Sequence, residues 1–279
     1  MIHTAIAGYI IIIINFLFSY KGFNDKVFYD KYKFKVDKIL INKEYYRLIS
    51  SSFLHIDWQH LCFNMLSLYF FFGLVEAQLG IPQFLILYFA SMIGGDLLAL
   101  FIHRNHGDYS AVGASGAVCG IIFASIALFP GIGIVLFFVV SIPAWLYGIL
   151  YVAYAIYGIK SQRENIGHEA HLGGALIGML TAIALYPSAL KENYITILVI
   201  SIPCIVFIYL IVTRPHFLLI DNYFFKSKTK YYSIDHKYNE QKKNKQEELD
   251  RLLDKIGKNG IGSLTKKEKQ RLEELSGKK

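Results

Sequence analysis

Residues 113–129 read Gly113-Ala114-Ser115-Gly116-Ala117-Val118-Cys119-Gly120-Ile121-Ile122-Phe123-Ala124-Ser125-Ile126-Ala127-Leu128-Phe129, carry no charge, and stop at Pro130-Gly131. A stretch this long and this apolar is expected to cross a bilayer. Its head differs from its body. Four small residues, one bearing a hydroxyl, precede a greasy run, which suggests a helix that lets neighbours come close and holds one reactive group at its start.

Working outward, six further apolar runs cover 2–20, 59–78, 83–102, 132–157, 168–187 and 194–212. The whole chain agrees with this reading. It has 279 residues, 54% of them hydrophobic and only 18% charged, with a mean hydropathy of +0.38, which leaves too little polar surface for a water-soluble globule. The first run has no basic leading region and no small-residue cleavage site, so it is expected to remain as a span. Hydrocarbon tolerates no lipid-exposed unpaired backbone, so every run is expected to be a helix, 132–157 crossing with a tilt. The fold class is therefore all-α, a polytopic membrane helical bundle. The connection 21–58, with Lys31-Tyr32-Lys33-Phe34-Lys35, reads as a solvated or headgroup-level loop.

The net charge of +8 is unevenly placed: residues 213–279 hold 17 of the 29 Lys and Arg but 10 of the 21 Asp and Glu. The basic character belongs to a tail and leaves the membrane part nearly neutral. That argues against nucleic acid as a partner, which calls for a basic face on a folded reader. Cys62, Cys119 and Cys204 all lie in apolar runs and show neither a disulfide framework nor metal spacing. In the tail, Leu249, Leu252, Leu253 and Ile256 repeat at helical spacing. After a glycine-rich break at 257–262, Thr265 and Glu268 form a capping-box signature ahead of Leu272 and Leu275. A two-helix hairpin is expected there, and the sequence names no partner for it.

Polar side chains inside spans cost roughly 2.5–3.5 kcal/mol at mid-helix on insertion scales, so each is a candidate functional group. They gather in three spans. His60 and Asn64 stand four apart at the start of the second, Ser115 opens the fourth, and His168-Glu169-Ala170-His171 opens the sixth. Successive spans alternate direction, so the starts of the second, fourth and sixth share one side of the membrane. Gly113, Gly116 and Gly120 in one run, and Gly174 and Gly178 in the other, supply small-residue stripes that allow close helix packing. Such packing would bring the Ser115 hydroxyl within hydrogen-bond reach of the His171 imidazole. Taken singly, a histidine or serine in a span is usually a structural hydrogen-bonding group. The joint placement is what points to chemistry.

These motifs resemble the rhomboid family of intramembrane serine proteases. The residues that carry the resemblance are His60-x-x-x-Asn64, Gly113-Ala114-Ser115-Gly116 and Ala170-His171-x-x-Gly174-x-x-x-Gly178. Tyr45-Tyr46-Arg47-Leu48, Phe53-Leu54-His55, Glu76 and Gly80 flank them in agreement. The resemblance covers 1–187 and implies a six-helix core, with 188–212 an added span and 213–279 a basic soluble appendage. It implies Ser115 as nucleophile, His171 as general base then acid, and His60 and Asn64 with the Ser115 N–H as an oxyanion hole. Arg47 and Glu76 would anchor loops. It implies cleavage of peptide bonds in or next to transmembrane segments of membrane-protein substrates in the bilayer, without metal or cofactor. The 21–58 loop would lie partly in the membrane beside the site, and the fifth span with loop 158–167 would gate substrate access.

Two residues depart from the family pattern. Tyr46 stands where the family has Trp, and Cys119 stands where an aromatic packs against the catalytic histidine. Lys and Arg concentrate in the loops on the site's side, which by the positive-inside rule faces the cytoplasm. The resemblance implies the exterior, and a bacterial plasma (inner) membrane with an outward-facing site is the expectation carried forward. Competing chemistries fit less well. A zinc protease needs histidines four apart, whereas His168 and His171 are three apart. An aspartyl protease needs two intramembrane aspartates, and Asp96 stands alone. A catalytically silent relative that binds membrane clients is the alternative from another class. A transporter would call for interrupted helices in inverted repeats, which are not visible.

Overall fold

The computed structural model describes residues 6–136, 140–161, 167–213 and 234–275. Helices fill all or part of each of the seven apolar runs, joined by shorter elements. In chain order they begin with α1 (Ile6–Asn24), α2 (Lys26–Tyr32), β1 (Phe34–Lys35), α3 (Val36–Leu40), α4 (Arg47–Ser50), α5 (Trp58–Leu79) and α6 (Ile81–His103). There follow β2 (Ser110–Ala111), α7 (Ser115–Leu128), β3 (Gly133–Leu136), β4 (Val140–Pro143), α8 (Ala144–Ser161) and α9 (His168–Leu185). The chain ends with α10 (Ser188–Glu192), α11 (Tyr194–Thr213), α12 (Ile234–Asn259) and α13 (Lys266–Leu275). Among the described residues, α1, α5, α6 and α11 are long and apolar enough to cross a membrane. The chain is an all-α polytopic membrane protein. Its outer surface is apolar, as lipid requires: Ile10, Leu17, Tyr69, Phe70, Ile86, Ile202 and Tyr209 all point outward.

The centre of the bundle is α7. Every residue from Gly116 to Leu128 is buried, with α6 and α9 as its closest neighbours. Fourteen residues cover about 21 Å, against a hydrocarbon thickness of about 30 Å. The two ends of α7 therefore cannot both reach the membrane surfaces, and protein rather than lipid surrounds its termini.

Two expectations are corrected here. Residues 132–157 are not one helix. Strands β3 and β4 form an antiparallel hairpin, Gly133 facing Pro143 and Ile134 facing Ile142, and α8 starts only at Ala144. Ile134, Val135, Val140 and Ile142 favour extended backbone, and Pro143 lacks the N–H that a helix interior would use. Pairing satisfies only the facing edge of each strand, so the outer edges of this two-stranded sheet must meet protein or water rather than lipid. Nor is 21–58, expected as a solvated or headgroup-level loop, a loop throughout. Asp25 caps α2 by accepting from the Phe28 N–H at 2.9 Å, and β1 pairs antiparallel with β2, Phe34 opposite Ala111. Loop 158–167 lies in part outside the described residues, which omit 162–166. Tail residues 214–233 and 276–279 and run residues 2–5 are likewise outside them.

In the tail, the Thr265 N–H donates to Glu268 Oε2 at 2.8 Å and the Glu268 N–H to Thr265 Oγ1 at 3.2 Å, a capping box at the head of α13. From α12, the Asn239 amide donates to the Asp37 carboxylate at 2.8 Å, and the Lys243 ammonium donates to the Ile41 carbonyl. Helix α12 thus lies beside the segment that joins α1 to α5.

Candidate active site

Helices α7 and α9 meet backbone to backbone. A methyl placed on Gly174 would overlap the Gly116 carbonyl oxygen, and one on Gly178 would overlap Gly120. The sequence stripes therefore do face each other. A third helix joins them: a methyl on Gly95 of α6 would lie 2.5 Å from the Ala170 carbonyl oxygen, and Gly120 faces Ser91. Gly113 has a different task from the one expected of it. It precedes the helix rather than packing within it, at φ +131°, a conformation that glycine adopts far more readily than other residues. A Cβ there would also lie 2.7 Å from His60 Cε1.

This close packing sets the distance between Ser115 and His171. Ser115 is the first residue of α7 and His171 lies in the first turn of α9. Ser115 Oγ and His171 Nε2 are 2.6 Å apart, the length of a good hydrogen bond to a hydroxyl. With the serine donating, the His171 proton is on Nδ1. The backbone N–H of Ser115, in the first helical turn, has no intrahelical carbonyl to donate to.

The neighbouring residues fall out as follows. His60 lies against Gly113, its Nδ1 buried and without a hydrogen-bond partner among the described residues. Asn64 is buried on the same helix but donates back to the His60 carbonyl at 3.0 Å; one amide hydrogen remains. Arg47 is buried and ties the connecting segment together, Nε donating to Glu44 at 2.7 Å and Nη1 to the Asp30 and Lys33 carbonyls at 3.0 and 2.7 Å. Tyr46 helps by donating to Glu44 Oε2 at 3.0 Å. Glu76 anchors a helix end instead of a loop: its carboxylate accepts the N–H groups of Ala7 and Gly8, each at 3.1 Å, where the first turn of α1 needs acceptors. Cys119 does not face His171. Its thiol is 2.8 Å from the Tyr151 hydroxyl of α8, while the ring near His171 is that of His168, 6.0 Å between centroids.

Several contributors escaped the reading of the sequence. Asn15 and Ser19 are a fully buried polar pair four residues apart on α1, and the spacing that flagged His60 and Asn64 would have found them. Ser19 Oγ is 2.8 Å from His55 Nδ1, and the Ala114 N–H donates to His55 Nε2 at 3.4 Å. Burial, and secondarily His60, pushes the His55 pKa down to about 3, so this imidazole is neutral. Ser51 Oγ, which donates to the Arg47 carbonyl at 2.6 Å, lies 3.3 Å from Asp96 Oδ2, and Ser52 Oγ donates to that same oxygen at 3.5 Å. Across the site's rear, His103 Nε2 is 3.4 Å from Glu169 Oε1, and its ring stacks on Tyr109 at 3.6 Å. Among the described residues no group of three or more His, Cys, Asp or Glu could hold a metal ion.

Two stretches of the chain match known families. The rhomboid domain profile matches residues 42–188, and residues 232–278 match a family of unknown function (DUF6576). The chain is 32% identical over 177 residues to RHOMBOID-like protein 12, mitochondrial, of Arabidopsis thaliana, covering 58% of this chain and 52% of that protein. It is 33% identical over 157 residues to Rhomboid protein 1, mitochondrial, of Saccharomyces cerevisiae, covering 53% and 45%. With Rhomboid protease GluP of Bacillus subtilis it shares 30% over 151 residues, covering 54% and 28%. The chain spans about half the length, or less, of these relatives. Their names place two of them in mitochondria, so the expected bacterial plasma membrane draws no support from them. The rhomboid match takes in over half of the chain, with His60, Asn64, Ser115 and His171 inside it, and the chain belongs to the rhomboid family.

Proposed function

We propose that this protein is an intramembrane serine endopeptidase that cleaves peptide bonds in or next to transmembrane segments of membrane proteins. One observation carries the reading: a serine hydroxyl and an imidazole nitrogen 2.6 Å apart at the head of a helix too short to reach both membrane surfaces. Ser115 Oγ attacks the scissile carbonyl while His171 Nε2 takes its proton. The tetrahedral oxyanion is met by the Ser115 N–H, the His60 ring and the free amide hydrogen of Asn64. His171 then returns the proton to the leaving amine, and the acyl-enzyme is hydrolysed when water attacks with the same base. The family relationship, and a relative whose name is that of a protease, support the reading. Within it, 1–187 forms the protease core, 188–212 an added span and 213–279 an appendage.

Oxyanion donors act on the transition state, so their loss falls on kcat. Asn64→Ala and His60→Ala are each expected to lower kcat by about 10²–10³, with KM little changed, when cleavage of a single-span reporter is followed in lipid vesicles. The reading itself is tested by the same assay. The wild-type chain is expected to release the two reporter fragments and Ser115→Ala to release none. Equal cleavage by Ser115→Ala would rule out Ser115 as the nucleophile.

A further inference from the structure

The turn that delivers Ser115 lacks the usual means of holding itself. Ala114, at the cap position of α7, offers no side-chain hydrogen bond, and Gly113 before it sits at φ +131°. Support comes from outside the helix. The Gly113 N–H donates to the Ser51 carbonyl at 3.1 Å, a bond that any residue at 51 could accept through its backbone. The Ala114 N–H donates to His55 Nε2 at 3.4 Å, a bond that depends on one side chain in one tautomer.

The far edge of the ring fixes that tautomer. Ser19 Oγ donates to the Phe53 carbonyl at 3.0 Å and lies 2.8 Å from His55 Nδ1. A hydroxyl has one hydrogen, and with that hydrogen on Phe53 it can only accept from the ring. His55 therefore carries its proton on Nδ1 and presents a bare lone pair on Nε2 to Ala114. The donors run in one direction, Ala114 to His55 to Ser19 to the Phe53 carbonyl. Both side chains in this chain of bonds are fully buried. The same ring meets His60 edge to face, 5.0 Å between centroids.

We propose that His55 is a positioning residue for the proteolytic reaction: neutral and protonated on Nδ1, it holds the turn ahead of Ser115 from one edge and packs His60 from its face, keeping hydroxyl, imidazole and oxyanion donors in register. The proposal rests on Ser115 being the nucleophile. It gives a loop residue on the α1 side of the bundle control over a centre built from α5, α7 and α9. A one-ångström misplacement at a reacting centre costs on the order of 10²-fold in rate, so modest drift of this turn is enough to be seen.

The test uses the full chain in detergent micelles and two substitutions that differ in reach. The Oε1 of His55→Gln can stand where Nε2 stood and accept from Ala114. The shorter His55→Asn reaches only the Nδ1 position. His55→Asn is expected to lower kcat and the rate of fluorophosphonate labelling at Ser115 by about thirty- to a hundredfold, while KM stays within about twofold. His55→Gln is expected to recover most of that loss, with the two variants melting at similar temperatures. Equal rates in the two variants, or rates that simply follow their melting temperatures, would overturn the proposal. Should neither variant fold, Ser19→Ala keeps the ring and removes its acceptor; labelling slowed several-fold supports the role, and unchanged labelling refutes it. A nitrogen-15 spectrum of histidine-labelled wild type at pH 7 reads the tautomer independently of activity, and a His55 ring protonated on Nε2 would refute the proposal alone. Wild-type protein that neither labels nor cleaves would instead show that Ser115 is not the nucleophile, and the positioning role would fall with it.

Discussion

Replacing His171 with alanine is expected to lower the cleavage rate by on the order of 10⁴-fold or more while leaving the protein folded. The size follows from the base's double duty. Without an acceptor 2.6 Å from its hydroxyl, Ser115 must lose its proton to bulk water, and the leaving amine must find its proton elsewhere. The intact fold follows from what the side chain does not do. The His171 N–H already donates to the Gly167 carbonyl through the backbone at 3.1 Å, and its ring touches the aromatic His168 only at a centroid distance of 6.0 Å. Helix packing on this side comes from Leu172, Gly173 and Gly174, all buried. Melting in detergent should therefore move by only a few degrees, and single-turnover cleavage should fall to background. A variant that cleaves within tenfold of wild type would exclude His171 as the base.

Gly174→Val is expected to damage both stability and rate. Its side chain would need the space of the Gly116 carbonyl oxygen, with the Gly116 Cα itself 3.0 Å from the first added carbon. Neither atom belongs to a flexible side chain, so the helices must part. Overpacking of this kind costs about 1–3 kcal/mol, occasionally more. The rate should suffer further, because Gly116 follows Ser115 directly and Gly174 lies one turn from His171. Parting the helices by an ångström separates the pair, at a cost of about 10²-fold. Gly73→Ala is the control: nothing lies within 4 Å of the carbon it adds, and its melting temperature should match or exceed that of wild type. Gly174→Val melting like wild type, with undiminished cleavage, would show that α7 and α9 do not meet this closely.

The sequence was most informative where physical constraints are local. Hydrocarbon permits few polar groups, so Ser115, His171, His60 and Asn64 stood out, and the alternating direction of spans put them on one side of the membrane. Glycine spacing correctly pointed to the approach of α7 and α9. What it left out was the third partner, Gly95 and Ser91 of α6, because a stripe gives a close face without saying how many helices use it. The strand pair Gly133–Leu136 and Val140–Pro143 was hidden for a different reason. In a run apolar on every face there is no periodicity to separate strand from helix, and Pro143 was the one available sign of a break. Support by Ser19 and His55 was hardest to see, since it joins a helix to a loop 36 residues away and no spacing rule reaches that far. Glu76 shows the converse limit. A motif can mark a residue as important and still assign it to a loop when it holds the end of a helix.

The most direct test of the central claim is covalent. Full-length protein in detergent micelles, treated with a fluorophosphonate probe and mapped by mass spectrometry, is expected to carry one phosphonyl group on the peptide containing Ser115. Ser115→Ala should carry none, and His171→Ala should label far more slowly than wild type. Wild-type protein that stays unlabelled beside a labelled serine hydrolase, or labelling that survives Ser115→Ala, would contradict the account.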